Sequence, residues 1–192
     1  KCNFLESAIL PEGLLSLGTA AFTCPITLPA SLTTLGGNPA IGHVINIAAG
    51  NNSFHYDENN FLFNADATTV YAWRKTDERA VIPLALPNTL IAVADFAFAQ
   101  CDIEMGVLNL PPALTYLGKG AFAYCNGLMG LNVPGGVEVV PERCFATQDY
   151  QPLLQTITLA EGVKRLEKDS FMMFGGTSIL LPASLEYCDP QA

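Results

Sequence analysis

Residues 110–125 read Leu110-Pro111-Pro112-Ala113-Leu114-Thr115-Tyr116-Leu117-Gly118-Lys119-Gly120-Ala121-Phe122-Ala123-Tyr124-Cys125. The phrase holds an aliphatic before a proline, aliphatics three and six places beyond it, Ala-Phe at places ten and eleven, and a cysteine. Leu86-Pro87, Leu90, Val93, Ala97-Phe98 and Cys101 repeat it. Leu10-Pro11, Leu14, Leu17 and Ala21-Phe22 repeat all but the cysteine. With the proline as origin, units fall at Pro11, Pro29, Pro87, Pro111, Pro134, Ala160 and Pro182, the later ones about 23 residues apart. Place three is Leu14, Leu32, Leu90, Leu114, Val137, Val163 and Leu185. Place eleven is Phe22, Ala40, Phe98, Phe122, Phe145 and Phe171. A fixed period of this length is the signature of a solenoid, in which each unit stacks on the next.

The residues before the proline alternate. Leu84/Leu86, Leu108/Leu110, Leu131/Val133, Ile157/Leu159 and Ile179/Leu181 hold the places three and one before it, and Val107/Asn109, Gly130/Asn132, Thr156/Thr158 and Ser178/Leu180 interleave with the last four. A period of two in a short run is a half-buried strand. Proline ends it, since it supplies no N–H to a ladder. Stacking places these strands side by side in a parallel sheet. Glycines after place six (Gly18, Gly36, Gly118) suit a turn. The Ala-Phe-x-x-Cys segment then returns the chain, read as a short helical turn on the convex side, with its Phe column filling the interior. The expected class is therefore α/β, over one domain spanning 1–192.

Residues 44–79 break the rhythm. Val44-Ile45-Asn46-Ile47, Phe54-His55-Tyr56, Phe61-Leu62-Phe63 and Thr69-Val70-Tyr71-Ala72-Trp73 are separated by turns rich in Asn and Asp. That pattern predicts a hairpin or three-stranded meander inserted at the second unit, where Pro39-Ala40 stands in for Ala-Phe. Both ends read as cut within a repeat. Cys2-Asn3-Phe4-Leu5 overlays Cys125-Asn126-Gly127-Leu128, and Ala192 falls on the Ala of Ala-Phe. The expectation is a unit preceding Lys1 and a Phe at position 193.

Net charge is −9, with the acids dispersed along the chain. Such a surface repels phosphate backbones and anionic lipid, so nucleic acid and membrane surfaces are disfavoured partners. No apolar run is long enough to span a bilayer. The chain shows no signal-peptide pattern.

Leu128-Met129-Gly130-Leu131-Asn132-Val133-Pro134 and Gly118 to Cys125 resemble the BspA-like, Treponema-type leucine-rich repeat, whose unit runs to 23 residues. The insertion resembles a hairpin insert of such proteins from gut Bacteroidetes (Bacteroides and its kin), with Asn60 where that insert has Gly. The resemblance implies a leucine-rich-repeat solenoid with a parallel β-sheet of short stacked strands. It also implies a bacterial protein that is secreted or anchored at the outer cell surface. Family members with a role act in adhesion, holding host matrix proteins or other cells.

Six cysteines in such a setting suggest disulfides. The repeat argues instead for buried free thiols, because Cys101, Cys125, Cys144 and Cys188 occupy repeat slots that face the core. No Cys-x-x-Cys pair, nucleophile elbow, P-loop or dinucleotide fingerprint is present. His43 and His55 read as surface histidines beside the insertion. Asn51-Asn52-Ser53 matches a glycosylation sequon at chance level. No catalytic, metal or cofactor residues are nominated, and no enzyme is expected.

Two surfaces remain as ligand-binding candidates. One is the outward strand ladder, Thr27, Asn109, Asn132 and Thr158, small and uncharged. The other is the hairpin pair Tyr71 and Trp73, which form either the hairpin's own core or a platform for a partner. The leading expectation is a non-catalytic binding and adhesion module with a protein partner. Alternatives are a cell-surface carbohydrate-binding protein using the hairpin aromatics, with a glycan as ligand, and a structural spacer.

Overall fold

The computed structural model describes residues 5–76, 80–83, 85–147 and 154–192. Leu84, expected in a strand, and Cys2-Asn3-Phe4, expected to begin a unit, lie outside them. Eight rungs follow one another among the described residues. The first gives β1 (Ala8–Ile9) and β2 (Ser16–Leu17), the second β3 (Ile26–Leu28) and β4 (Thr34–Leu35). The third opens with β5 (Ile45–Ile47) and carries β6 (Phe54–Tyr56), β7 (Phe61–Asn64) and β8 (Thr69–Trp73). The fourth gives β9 (Ala92–Val93), the fifth β10 (Asp102–Asn109) and β11 (Tyr116–Leu117), the sixth β12 (Asn126–Val133) and β13 (Val139–Val140). The last two give β14 (Thr156–Leu159) with β15 (Arg165–Leu166), and β16 (Ser178–Leu180) with β17 (Tyr187–Cys188).

The segments before the proline form two parallel sheets, β1-β3-β5 and β10-β12-β14-β16. Alternation sets their register. Thr27 stands opposite Ile9 and Asn46, and Asn132 opposite Asn109 and Thr158, so aliphatics such as Ile26, Leu28, Leu131 and Ile157 line up inward.

A second ladder, not anticipated from the sequence, is built from places five and six, β2-β4, β11-β9 and β13-β15-β17, with the meander strand β8 pairing onto β9. Two-residue strands are too short to display alternation. Gly118 after place six serves close approach, since a Cβ there would collide with the backbone of Asp95 on the adjacent rung.

The helical turns expected on the convex side are a correction: no described residue is helical. The reason is competition for N–H groups. Phe96, Phe98 and Gln100 donate to Lys119, Ala121 and Ala123 of the next rung at 2.8–2.9 Å. The intervening Ala97, Ala99 and Cys101 donate three residues back, at 3.2 Å. An α-helix needs every N–H to reach the carbonyl four residues back. Here alternate donors belong to the neighbour. Phe96, Gln100, Tyr124, Arg143, Asp169 and Met173 take left-handed φ angles of 55–62° in these turns. Each costs about 1–2 kcal/mol, offset by the inter-rung bonds.

Inside the turns the phenylalanines form one column. Ring centroids of Phe61, Phe98, Phe122, Phe145 and Phe171 follow at 5.9, 5.1, 5.6 and 5.8 Å. Phe61 comes from the meander and heads the column in place of a repeat phenylalanine.

The segment 44–79 therefore does not start as an insertion. Its β5 pairs with β3, placing Ala48 at the proline position and Asn51 at the aliphatic place three. This unit escaped the repeat alignment because both marker residues are replaced. Asn51 serves through its amide: Nδ2 donates to Pro29 and Leu32 carbonyls at 2.7 and 3.1 Å, and Oδ1 accepts from Ser53 and Phe54. The antiparallel strands β6-β7-β8 follow, and β8 joins β9 in parallel. The central strand β7 is buried on both faces. Phe61, Phe63 and Val70 belong to the larger core cluster, which runs to the eighth rung. Phe54, Leu62 and Ala72 belong to the smaller cluster of the first three rungs. The meander is thus the wall between two cores.

Side chains also tie rungs together. Glu12 accepts from the N–H groups of Ala30 and Ser31, while Ser31 Oγ accepts from Gly13 N and donates to Leu14 O. Glu161, Gly162 and Val163 make the same clamp on Ala183 and Ser184.

Replacing Phe122, flanked by rings on both sides, with alanine is expected to cost about 3–5 kcal/mol in urea unfolding. Half-buried Phe22, outside the column, should cost clearly less; equal losses would show that the column is not the core.

Candidate functional site

The ladder residues sit on the outward face, but not as one row of four. Asn109, Asn132 and Thr158 are consecutive on β10-β12-β14, and Asn132 Nδ2 donates to Asn109 Oδ1 at 2.6 Å. Thr27 lies on the other parallel sheet, between Ile9 and Asn46. Two residues escaped sequence reasoning: Met105, 66 % exposed, and Met129, 42 % exposed. With Val107 they border the amide row. Met105 follows from alternation with Leu108 carried beyond the four-residue window in which strands were read, whereas Met129 shares the parity of buried Leu131 and is turned outward by a register shift opposite Gly106 and Val107 that alternation does not show.

Tyr71 and Trp73 are both half-buried and face different cores. A register shift between Leu62 and Phe63 leaves Tyr71 as the bulged residue of β8. Its ring meets Phe54 edge-on at 5.6 Å, and burial raises its hydroxyl pKa. Trp73 packs on the larger core and its indole N–H donates to Asn59 O at 3.1 Å. The two rings do not share an open face. Tyr56 donates to Ile45 O at 2.8 Å under the guanidinium of Arg74, 3.9 Å above its ring. Burial holds its pKa up despite that cation. His55 packs near Phe63 at 6.1 Å.

A cleft lies where the third rung spends its length on the meander. The second rung bridges directly to the fourth: Asn38 N donates to Asp95 O, and Asn38 Nδ2 to Phe96 O. Below that bridge a cavity of about 140 Å³ opens between Gly42–Val44 and Ala99–Cys101, with Ala72–Lys75 as its third wall. Arg74 Nη2 donates to Ile45 O at 2.8 Å. Lys75 pairs with Asp102 at 3.0 Å, and hydrogen bonds from Lys75 and Asn126 hold that carboxyl below its ordinary pKa.

Cys24, Cys101, Cys125, Cys144 and Cys188 are free thiols. Burial pushes Cys101 up to about 12 and raises Cys125 and Cys144 further from the thiolate state. Cys125 Sγ donates to Phe98 O at 2.9 Å. Cys188, expected in a core slot, is exposed on the edge strand β17 of its sheet. The sequon asparagine Asn51 has its side chain committed within the fold. Among the described residues no group of His, Cys, Asp and Glu could hold a metal ion, and no helix is long and apolar enough to cross a membrane.

Stacked rungs carrying proline-terminated parallel strands and a phenylalanine column define a leucine-rich-repeat solenoid. The chain belongs to the BspA-type leucine-rich repeat family, whose repeat matches residues 77–192 in six copies. Among solved structures it is similar to a leucine-rich cell surface protein of Faecalibacterium prausnitzii (TM-score 0.72, 19 % identity, 96 % of this chain and 55 % of that one). A leucine-rich repeat protein of Eubacterium ventriosum gives TM-score 0.66 at 18 % identity, over 93 % of this chain and 55 % of that one. The pneumococcal vaccine antigen PcpA gives 0.50 at 18 %, over 95 % and 62 %. The chain spans about 55 % of the first two relatives' length, and these likenesses carry the fold alone. No curated protein matches it.

In the folded chain of residues 1–192, alkylation mapped by mass spectrometry should label Cys188 readily and Cys24, Cys125 and Cys144 only on unfolding. Native labelling of those three at the Cys188 rate would contradict the closed core.

Proposed function

We propose that the chain is a non-catalytic adhesion module of a secreted or surface-anchored bacterial protein, and that it holds a protein partner of the host extracellular-matrix class. The supporting observation is the outward face of β10-β12-β14-β16. It presents an uncharged row, Asn109-Asn132-Thr158, bordered by exposed Met105, Val107 and Met129. The amide pair is fixed by its own hydrogen bond, and the strands beneath it are rigidly stacked, so little entropy is lost when a partner docks. Methionine and amide side chains on a flat rigid sheet suit a protein surface, where apolar contact and hydrogen bonding alternate. The BspA-type family and the cell-surface relative agree in setting. The glycan reading needs stacked exposed aromatics, and Tyr71 and Trp73 are committed to two separate cores. The spacer reading predicts an inert face.

The test is binding to an immobilised panel of extracellular-matrix proteins, comparing the native chain with Val107→Arg and Asn132→Arg. Both positions face outward, so the variants should fold. Expected is a selective partner whose binding falls at least about tenfold in each variant, as loss of a well-packed interface contact would give. Binding unchanged in both variants would overturn the assignment to this face.

A further inference from the structure

The cleft beside the meander has a chemistry independent of the ladder face. Its walls carry Arg74, Lys75 and His43, with Trp73, Val44, Ala72 and Ala99 as apolar lining and Gln100 at the mouth. No carboxylate residue is among the lining residues. Lys75 is neutralised by Asp102, but Arg74 makes none of the ion pairs found among the described residues. Its Nε is sealed from solvent with no acceptor. Its guanidinium is held in place by Tyr56 and the Ile45 carbonyl. A cation fixed at the edge of a partly apolar cleft, with no ion-pair partner among the described residues of a chain of net charge −9, is an uncompensated feature. It favours an incoming anion, since a charge-assisted bond formed away from water is stronger than one at the surface.

Size narrows the occupant. About 140 Å³ falls below the roughly 300–1,000 Å³ of sites that hold drug-sized molecules. It takes one side chain or an acid of a few carbons. Phosphate alone would leave the indole and alanine walls uncovered. We propose that this cleft binds a single carboxylate on a short apolar stem, the stem against Trp73 and Ala99, the carboxylate toward Arg74. The source is either a free small acid or a glutamate side chain of a partner protein.

Trp73 is the one tryptophan of the chain, so its emission reports on this cleft alone. The experiment titrates the folded chain with pentanoate, pentan-1-ol, pentan-1-amine and an acetylated, amidated Gly-Glu-Gly peptide. Pentanoate and the peptide should each give a saturable change in Trp73 emission, and the alcohol and amine none. Tighter binding of the peptide marks a protein source, tighter binding of pentanoate a free acid. Arg74→Gln should weaken binding about tenfold or more. Because Arg74 also braces β5, a second variant is needed. Gln100→Glu, on an exposed residue at the mouth, sets a like charge against the ligand and should weaken it equally. No saturable change with either carboxylate, an equal response to the amine or alcohol, or undiminished affinity in Gln100→Glu would overturn the proposal.

Discussion

In a stack of rungs each backbone N–H can reach two kinds of carbonyl, one a turn earlier in its own rung and one on the adjacent rung. The alternation between them, seen from Phe96 to Cys101 and again from Gly120 to Cys125, is the constraint on which the rest depends. It holds neighbouring rungs close enough for the phenylalanine rings to meet. It forces left-handed turns, excludes helix from the return segments, and leaves strand faces flat enough to carry a row of side chains. Packing follows from this spacing, with each ring pair adding about 0.5–1.5 kcal/mol beyond burial.

Much of this was legible in the primary structure, because repetition averages away local ambiguity. Five phenylalanines at one place, and aliphatics at another, fix what faces inward without any propensity argument. The helical turn was misread for a related reason. Ala-Phe-Ala-Tyr-Cys has local preferences compatible with a helical turn, but the acceptors that decide its conformation lie about 23 residues away, on another rung. The third rung was missed where Ala48 and Asn51 replace proline and leucine. Asn51 satisfies with hydrogen bonds the place that leucine elsewhere fills with methyl groups, and no hydrophobic pattern can show that.

The sites were less legible than the fold. Ladder residues were found where alternation was regular, yet which rungs stand next to which could not be read across an unrecognised unit, so Thr27 was grouped with residues of the other sheet. The aromatic strands looked like a hairpin with rings to spare. In the folded chain β7 is covered on both faces, and rings that stood out by composition are the partition between two cores. The cleft exists only because one rung gives its return segment over to that partition. Absence of a segment leaves no motif.

The Glu-Gly and Ala-Ser contacts between rungs one and two, and between rungs seven and eight, have a bearing on how such a chain finds its order. Near-identical units invite mispairing, where a strand zips onto the wrong sibling with nearly the right spacing. Glu12 needs two free N–H groups at the start of the unit it meets, and Ala30 and Ser31 provide them. Slipped onto the unit of Pro111, it would face Pro112, which has no N–H to give. Such an acid therefore disfavours at least one wrong sibling, the unit of Pro111, while the fold assembles.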